Sequence, residues 1–366
     1  MGILGNIFKK KEKKAKIAKH HTAKGFVEIK VSTITKLTDD CVQISFDIPI
    51  DLKEKFKFIP GQYINISVEI DGNDERRSYS ICSGKNEELA IAVKMVENGK
   101  ISTWVNQELE VEDFILISPP QGNFILDKSA KNIVSFAAGS GITPILAIAK
   151  SIEENGGNMK LFYANKTLSN VIFKNELEGL KNSETTHFLT KELNDRHKEG
   201  RLTKEKISEI IKNDLNLLKA DAFFICGPEE MIFGAKEILN VFGVPKEKIH
   251  FELFTTPTLT ENIEEKSETA TFKGLSKVKV ILDDEVTNFT LKTDGKTILD
   301  AVTSEGYDAP YSCRGGVCCT CKAKVLSGSA SMKLNYSLTD LEVRNGYILT
   351  CQAHPTSEEL TISYDE

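Results

Sequence analysis

No run of residues in this chain approaches the eighteen or so apolar positions that a membrane-spanning helix needs. A basic excess is missing too: Lys and Arg number 47 against 53 Asp and Glu, a formal net charge of −6. That balance argues against a nucleic-acid binder as a whole. The single tryptophan and six histidines include no Ser-His-Asp or HExxH arrangement, so His187, His197, His250 and His354 read as structural. Eight cysteines are few for a disulfide scaffold in 366 residues. Hydrophobic residues at 40% and charged ones at 27% are ordinary globular usage, not that of a disordered chain. The length predicts two or three domains at roughly 100–200 residues each. Five of the eight cysteines fall between Cys313 and Cys351, and that crowding is the first positive signal.

The segment 1–24 carries eight lysines against Glu12, a net +7 that leaves about −13 on the rest. No apolar h-region follows, so it is not a secretory signal, and Asn6 stands where a myristoylation signal wants Ser or Thr. It reads as a solvated tail. Ile3, Leu4, Ile7 and Phe8 allow a weak membrane-surface contact instead. The cytoplasm is the expected location, and cytosolic thiols favour metals over disulfides. A second seam, 255–276, holds Glu261, Glu264, Glu265 and Glu268 with little apolar content and reads as a linker.

Residues 25–130 alternate polar and apolar between turn signals, which predicts antiparallel strands closed as a barrel. In residues 131–254, apolar runs (133–138, 160–164, 222–226) alternate with helical patterns (144–153, 175–181, 204–211, 229–241). That order predicts an α/β domain with a parallel sheet covered on both faces. Residues 277–366 return to strands, with one helix over 297–304.

Cys313, Cys318 and Cys321 have C-x4-C-x2-C spacing, and Cys351 stands apart. This is the plant-type [2Fe–2S] ligand pattern. Three thiolates on one tight loop reach two adjacent irons and the distant fourth closes the site. Gly315 and Gly316 let the loop wrap, so that backbone N–H groups point at the sulfurs. Disulfides remain the alternative, and zinc fits the spacing poorly. Cys319 reads as a packing thiol. With Lys322-Ala-Lys-Val-Leu-Ser-Gly328 and Gly346-Tyr-Ile-Leu-Thr-Cys351-Gln352, the segment 277–366 resembles a plant-type ferredoxin domain. The resemblance implies a β-grasp fold and a cluster that carries one electron.

In the first domain, Arg77-Ser78-Tyr79-Ser80 offers a fork for a phosphate, a ring for an aromatic and a hydroxyl. Upstream lies Phe58-Ile-Pro-Gly-Gln-Tyr63. Downstream, Val93-Lys94 leads to Gly99, Ser102 and Thr103, a turn opening onto a helix N-terminus suited to anions. Ala138-Gly139-Ser-Gly141-Ile-Thr143-Pro144 follows a predicted strand and opens a helix. Its glycines admit a pyrophosphate, Thr143 can donate a hydroxyl, and Pro144 suits a first helical turn. It departs from the common dinucleotide motif at the third glycine.

Together with Cys226-Gly227-Pro228 and Phe251-Glu-Leu-Phe254, these motifs resemble the ferredoxin–NADP reductase superfamily over residues 25–366. The resemblance implies that Arg77 holds the flavin pyrophosphate, Tyr79 packs on the flavin and Ser80 faces its N5 edge. Ser78 lies within that strand. Val93 and Lys94 would line the cofactor, and Gly99, Ser102 and Thr103 would cradle phosphate. FAD is the expected flavin, with FMN the alternative. Gly139, Gly141, Thr143 and Pro144 would bind the dinucleotide, with Cys226, Gly227 and Pro228 beside the nicotinamide. Phe254 would cover the flavin face, unless it is an ordinary core aromatic. The second parallel strand ends at Tyr163-Ala-Asn165-Lys166 with no acid, and Thr190-Lys191-Glu192 follows later. Lys166 and Lys191 therefore lean to NADPH over NADH, although both could be solvated surface lysines.

A flavin bridges two-electron hydride chemistry and a one-electron cluster, which gives the order NAD(P)H, flavin, cluster, external acceptor. Arg76-Arg77-Ser-Tyr-Ser-Ile-Cys82 and Ala137-Ala-Gly-Ser-Gly-Ile-Thr-Pro144 resemble reductases of the phenylacetyl-CoA epoxidase family. Reductases of ring-hydroxylating oxygenases and of hybrid-cluster protein share the modules. A non-haem iron oxygenase component is the expected partner. The alternative is a redox-sensing or electron-storage module without fast turnover, against which the intact nicotinamide motifs argue.

Overall fold

The computed structural model describes residues 23, 25–192, 197–258 and 272–366. The basic tail and most of the acidic linker expected from sequence lie outside the described residues. The first sheet contains β1 (Val27–Thr38), β2 (Cys41–Asp47), β3 (Tyr63–Ile70), β4 (Asn73–Ser80), β5 (Ala90–Lys94) and β6 (Phe114–Ile117), in the order β4-β3-β6-β1-β2-β5. Its described pairings are antiparallel. A bridge between Ile81 and Ile91 brings the end of β4 onto β5, so the sheet closes on itself. Alternation explains the filling: Ile29, Val31, Ile44, Ile64, Ile66, Ile91 and Ile117 line one core. Helix α1 (Lys100–Gln107) covers it with Ile101 and Val105.

The second sheet is parallel. It runs β10-β9-β8-β7-β11-β12, from β7 (Asn132–Ala138), β8 (Asn158–Asn165), β9 (Ser183–Leu189), β10 (Lys198–Glu199), β11 (Ala222–Cys226) and β12 (Ile249–Glu252). Apolar runs such as Ala222-Phe-Phe-Ile-Cys226 are buried on both sides, as a doubly covered sheet requires. Helices α2 (Ile142–Glu154) and α3 (Lys174–Gly179) cover one face, and α4 (Lys204–Asn213) and α5 (Glu229–Val241) the other. The strand order reverses between β7 and β11, and the crevice at their carboxyl ends is where such sheets bind ligands. Local features differ from the sequence pattern. Strand β9 forms although Ser-Glu-Thr-Thr-His lacks an apolar run, and α3 ends at Gly179 rather than Lys181.

The third sheet is mixed: β14-β13-β19-β15-β17, from β13 (Leu275–Leu282), β14 (Glu285–Lys292), β15 (Lys322–Ser327), β17 (Tyr347–Leu349) and β19 (Glu359–Ser363). Strands β16 (Ala330–Met332) and β18 (Ala353–Pro355) form a separate pair. Only β13 and β19 are parallel within the larger sheet. Helix α6 (Ile298–Ser304) packs Ile298, Leu299 and Val302 across it, giving the β-grasp arrangement. Thr297 caps α6 by accepting the Asp300 N–H, a contact worth about 1 kcal/mol. A short helix α7 (Asp340–Arg344) carries a capping box between Thr339 and Glu342.

Candidate functional site

Strand β4 carries two adjacent arginines with different fates. Side chains alternate along a strand, so Arg76, Ser78 and Ser80 share one face and Arg77 and Tyr79 the other. Arg76 is 3% exposed and pairs with Asp74 and Asp308, each at 2.7 Å. Arg77 is exposed and gives one N–H to the Arg76 carbonyl at 2.8 Å, which leaves the rest of its fork for an anion. Tyr79 is half-buried against the barrel core, and burial raises its hydroxyl pKa. Gly99 caps the N-terminus of α1, where a Cβ would stand 2.4 Å from Ser102 Oγ. Exposed Arg77, the half-buried Tyr79 ring and this helix end are the donor set that a flavin dinucleotide asks for.

Three neighbours in that motif set face elsewhere. Val93 is fully buried in the barrel core, so it can offer a flavin only backbone, and its carbonyl accepts from Asn106 at 3.1 Å. Lys94 pairs with Asp40 at 3.1 Å. Ser102 is buried; its hydroxyl donates to the Gly99 carbonyl and accepts the Val96 N–H, both at 3.3 Å. Thr103 is half-buried in the first turn of α1.

At the sheet crevice, two loops meet. A Cβ at Gly141 would lie 2.1 Å from the Cys226 carbonyl oxygen, so only glycine allows the 139–141 and 226–228 segments to touch. Gly139 has φ +54°, with nothing within 4 Å of where its Cβ would stand. That open approach fits a dinucleotide phosphate. The expected hydroxyl from Thr143 is not available: Thr143 is 2% exposed and donates to the Ser140 carbonyl at 3.0 Å, a local bond that competes with any ligand. Pro144 is buried in the first turn of α2, while Gly227 is half-buried and Pro228 exposed at the start of α5.

The register of β11 and β12 places Cys226 opposite Glu252, and Ser80 Oγ donates to Glu252 Oε2 at 2.8 Å. Ser80, Cys226 and Glu252 thus come together from both domains. Burial pushes the Glu252 carboxyl up to about 7, opposed by the Ser80 hydrogen bond. Burial holds the Cys226 thiol well above its ordinary range, reinforced by the Glu252 charge. Sequence reasoning gives Glu252 no role; the available signal is a carboxylate set between the apolar Phe251 and Leu253. Phe254, two residues on, is 44% exposed and so is no core aromatic. Lys166 and Lys191 are exposed just past β8 and β9, and the Lys191 N–H bonds the Lys166 carbonyl at 2.8 Å. The nearby acid, Glu192, already accepts the Leu168 N–H at 2.8 Å.

The four spaced cysteines form two pairs. Cys318 Sγ lies 3.1 Å from Cys313 Sγ, and the Cys321 and Cys351 thiols hydrogen-bond each other. Among the described residues, no three His, Cys, Asp or Glu side chains converge to hold a single metal ion. Two pairs of thiols fit two irons instead. The Gly315 N–H points at Cys313 Sγ at 3.4 Å, and those of Val317 and Cys318 do likewise; with the Cys318 thiol they bring Cys313 down to about 6. Cys319 gives its S–H to the Ser337 carbonyl at 3.4 Å, and burial pushes its thiol up to about 11. Gly315 faces Thr256, just past Phe254, at a distance no Cβ would permit.

The cluster loop rests on the outer face of β3 and β4. Besides the Arg76–Asp308 pair, Ser78 Oγ lies 2.9 Å from Ser312 Oγ, Asn65 Nδ2 donates to Thr320 Oγ1 at 3.2 Å, and the Cys319 N–H donates to Tyr63 Oη at 3.1 Å. Nothing in the sequence pairs these residues. His250 stacks on Phe224 at 4.8 Å, and burial lowers the pKa of both His250 and His187.

Comparison with known proteins agrees with this division. Residues 28–125 match the oxidoreductase FAD-binding domain family, 136–237 the oxidoreductase NAD-binding domain family, and 280–356 the 2Fe-2S iron-sulfur cluster binding domain family. A component of the 1,2-phenylacetyl-CoA epoxidase of Escherichia coli is 35% identical over 93% of this chain and 98% of its own length. The ferredoxin reductase component of 3-ketosteroid-9-alpha-monooxygenase from Rhodococcus rhodochrous is 30% identical, over 92% and 97%. Among solved structures, phthalate dioxygenase reductase superposes with a TM-score of 0.56 at 23% identity, covering 93% of this chain and 98% of that one. At that identity the likeness speaks for the fold alone. No helix among the described residues is long and apolar enough to cross a membrane.

Proposed function

This chain belongs to the family of FAD-, NAD- and [2Fe–2S]-binding oxidoreductases that includes that component of the 1,2-phenylacetyl-CoA epoxidase, and from that premise we propose that it is the NAD(P)H-dependent reductase of an oxygenase. The observation that carries the reading is the convergence of three sites on β4: Arg77 and Tyr79 on one face, Ser80 against Glu252 of the nicotinamide crevice, and Ser78 against the loop that leads into Cys313.

In this reading Cys313 and Cys318 would hold one iron, and Cys321 and Cys351 the other. Arg77 takes the FAD pyrophosphate with the α1 N-terminus at Gly99 and Thr103, and Tyr79 packs on the ring. Gly139 and Gly141 let the coenzyme phosphates approach, Cys226-Gly227-Pro228 borders the nicotinamide, and Phe254 covers the flavin face. Ser80 Oγ, bonded to Glu252, stands beside that face, and burial lets Glu252 keep its proton up to near-neutral pH. Bound FAD would supply the conversion from hydride transfer to single-electron delivery, toward a cluster held by the four cysteines. Lys166 and Lys191 favour the 2′-phosphate of NADPH, since Glu192 is already engaged by backbone. The acceptor is a non-haem iron oxygenase component of the phenylacetyl-CoA epoxidase type, and the setting is the cytoplasm.

Anaerobic titration with NADPH and then NADH, followed by optical and EPR spectra, tests this. Bleaching of a flavin band and the EPR signal of a reduced [2Fe–2S] cluster are expected. Absence of either contradicts the reading.

A further inference from the structure

The flavin barrel meets the cluster loop through buried polar groups where apolar packing would serve to hold two domains together. Tyr63 is 4% exposed, Asn65 0%, Ser312 3% and Thr320 7%. Burying such groups costs stability unless every donor and acceptor is met, and a fully met network fixes one geometry.

Each of these groups finds a partner across the seam. Ser78 Oγ–H donates to Asn65 Oδ1 at 2.7 Å, so Ser78 accepts from Ser312. Asn65 Nδ2 donates to Ser118 Oγ and to Thr320 Oγ1, both at 3.2 Å. Tyr63 Oη accepts the Cys319 N–H at 3.1 Å and shares a hydrogen bond with Thr320 Oγ1 at 3.3 Å. Thr320 Oγ1 also lies 3.4 Å from Asn65 Oδ1 and hydrogen-bonds Cys318, so it links Asn65, Tyr63 and the cysteine. A continuous chain of side chains therefore runs from Ser78, between Arg77 and Tyr79, to the thiol of Cys318.

We propose that Tyr63, Asn65, Ser78 and Thr320 are the positioning residues of the flavin-to-cluster step, holding the Cys318–Cys321 loop at a fixed distance from β4 and aiming the Thr320 hydroxyl at Cys318. The inference rests on the reading that Tyr79 packs on the flavin and that Cys318 is a cluster ligand. In that step one electron leaves the reduced flavin and enters the oxidised cluster, and no bond to these four residues forms or breaks. Their contribution is geometric, because electron transfer slows steeply with distance.

The test uses three near-isosteric variants of the holoenzyme: Tyr63→Phe, Thr320→Val and Thr320→Ser. Rapid-mixing spectroscopy with NADPH separates flavin reduction from cluster reduction, and hydrogen–deuterium exchange reads the loop directly. Flavin reduction should stay within about twofold of the parent, while cluster reduction in Thr320→Val falls about tenfold, as small misplacements do. Thr320→Ser, which keeps the hydroxyl, should recover most of that rate. The peptide containing Cys319 should exchange about fivefold faster in Tyr63→Phe, the loss of one hydrogen bond. Parent-like cluster reduction and exchange in both Tyr63→Phe and Thr320→Val would overturn the proposal. So would equal slowing of both steps, which marks a general structural role. A parent protein with no flavin reduction or no cluster signal fails the functional reading instead, and the exchange result still stands apart from it.

Discussion

The barrel has two seams, and they are built from opposite materials. Toward the parallel sheet it presents Cys41, Cys82, Ala90, Ala92 and Phe124, which join Ile142, Ile145, Ile148 and Phe224 in one apolar core. Phe124 meets Phe224 edge to face with ring centroids 5.2 Å apart. Toward the cluster domain it presents Tyr63, Asn65, Arg76 and Ser78, and among the described residues no apolar core contains both barrel and cluster-domain side chains. The apolar seam is non-directional and gains with area. The polar seam is directional and gives way when one partner is lost. Hydride transfer needs a rigid pocket between two domains. Electron transfer needs one distance held constant, and a hydrogen-bonded seam supplies that.

The largest blow to this contrast falls on the apolar side. Phe124→Ala should cost about 3–5 kcal/mol, seen by denaturant melts as joint loss of flavin and parallel-sheet signals. If only the cluster domain loosens, the seams have been misassigned. Arg76→Met strands Asp308, which is 37% exposed, so about 2–3 kcal/mol is expected, less than a fully buried pair. The cluster domain should become protease-sensitive while the flavin stays bound.

A pH series probes the apolar side further. Glu252 is raised to about 7 in the native state from an ordinary 4.5. Between those values the native protein holds a proton that the unfolded chain has lost, so stability falls as pH rises, by at most about 1.4 kcal/mol per unit. Glu252→Gln should flatten that slope in melts at pH 5, 6, 7 and 8. The smallest effect, which disturbs neither seam, is Lys191→Glu. It should raise the KM for NADPH about fivefold, near 1 kcal/mol, and leave NADH almost unchanged. Equal changes for both coenzymes would remove Lys191 from the ribose site.

Local signals in the sequence reach far into this molecule. The limits of α5 and β11 follow from periodicity, and the Gly-Ser-Gly turn and the spaced cysteines announce their chemistry in a few residues. What stays hidden depends on partners far along the chain. Arg76 and Arg77 are neighbours with the same side chain, and the partner that ties Arg76 to the cluster domain, Asp308, lies 232 residues away. Tyr63 reads as a strand residue until the Cys319 N–H, 256 residues on, is brought to its hydroxyl. Thr143 and Val93 sit in motifs that suggest contact, yet a local hydrogen bond and the strand's alternation turn their side chains inward. Strand β9 escapes because its pairing to β8 and β10 carries it despite a polar sequence.

The contrast between the two seams has a functional meaning when electrons leave the flavin through the cluster. Cytochrome c reduction by the Cys318→Ser variant, beside its NADPH-driven flavin reduction under anaerobic conditions, decides that. Flavin reduction should persist, the reduced-cluster EPR signal should disappear and one-electron reduction of cytochrome c should collapse. Cytochrome c reduction that survives undiminished without the cluster would contradict the relay.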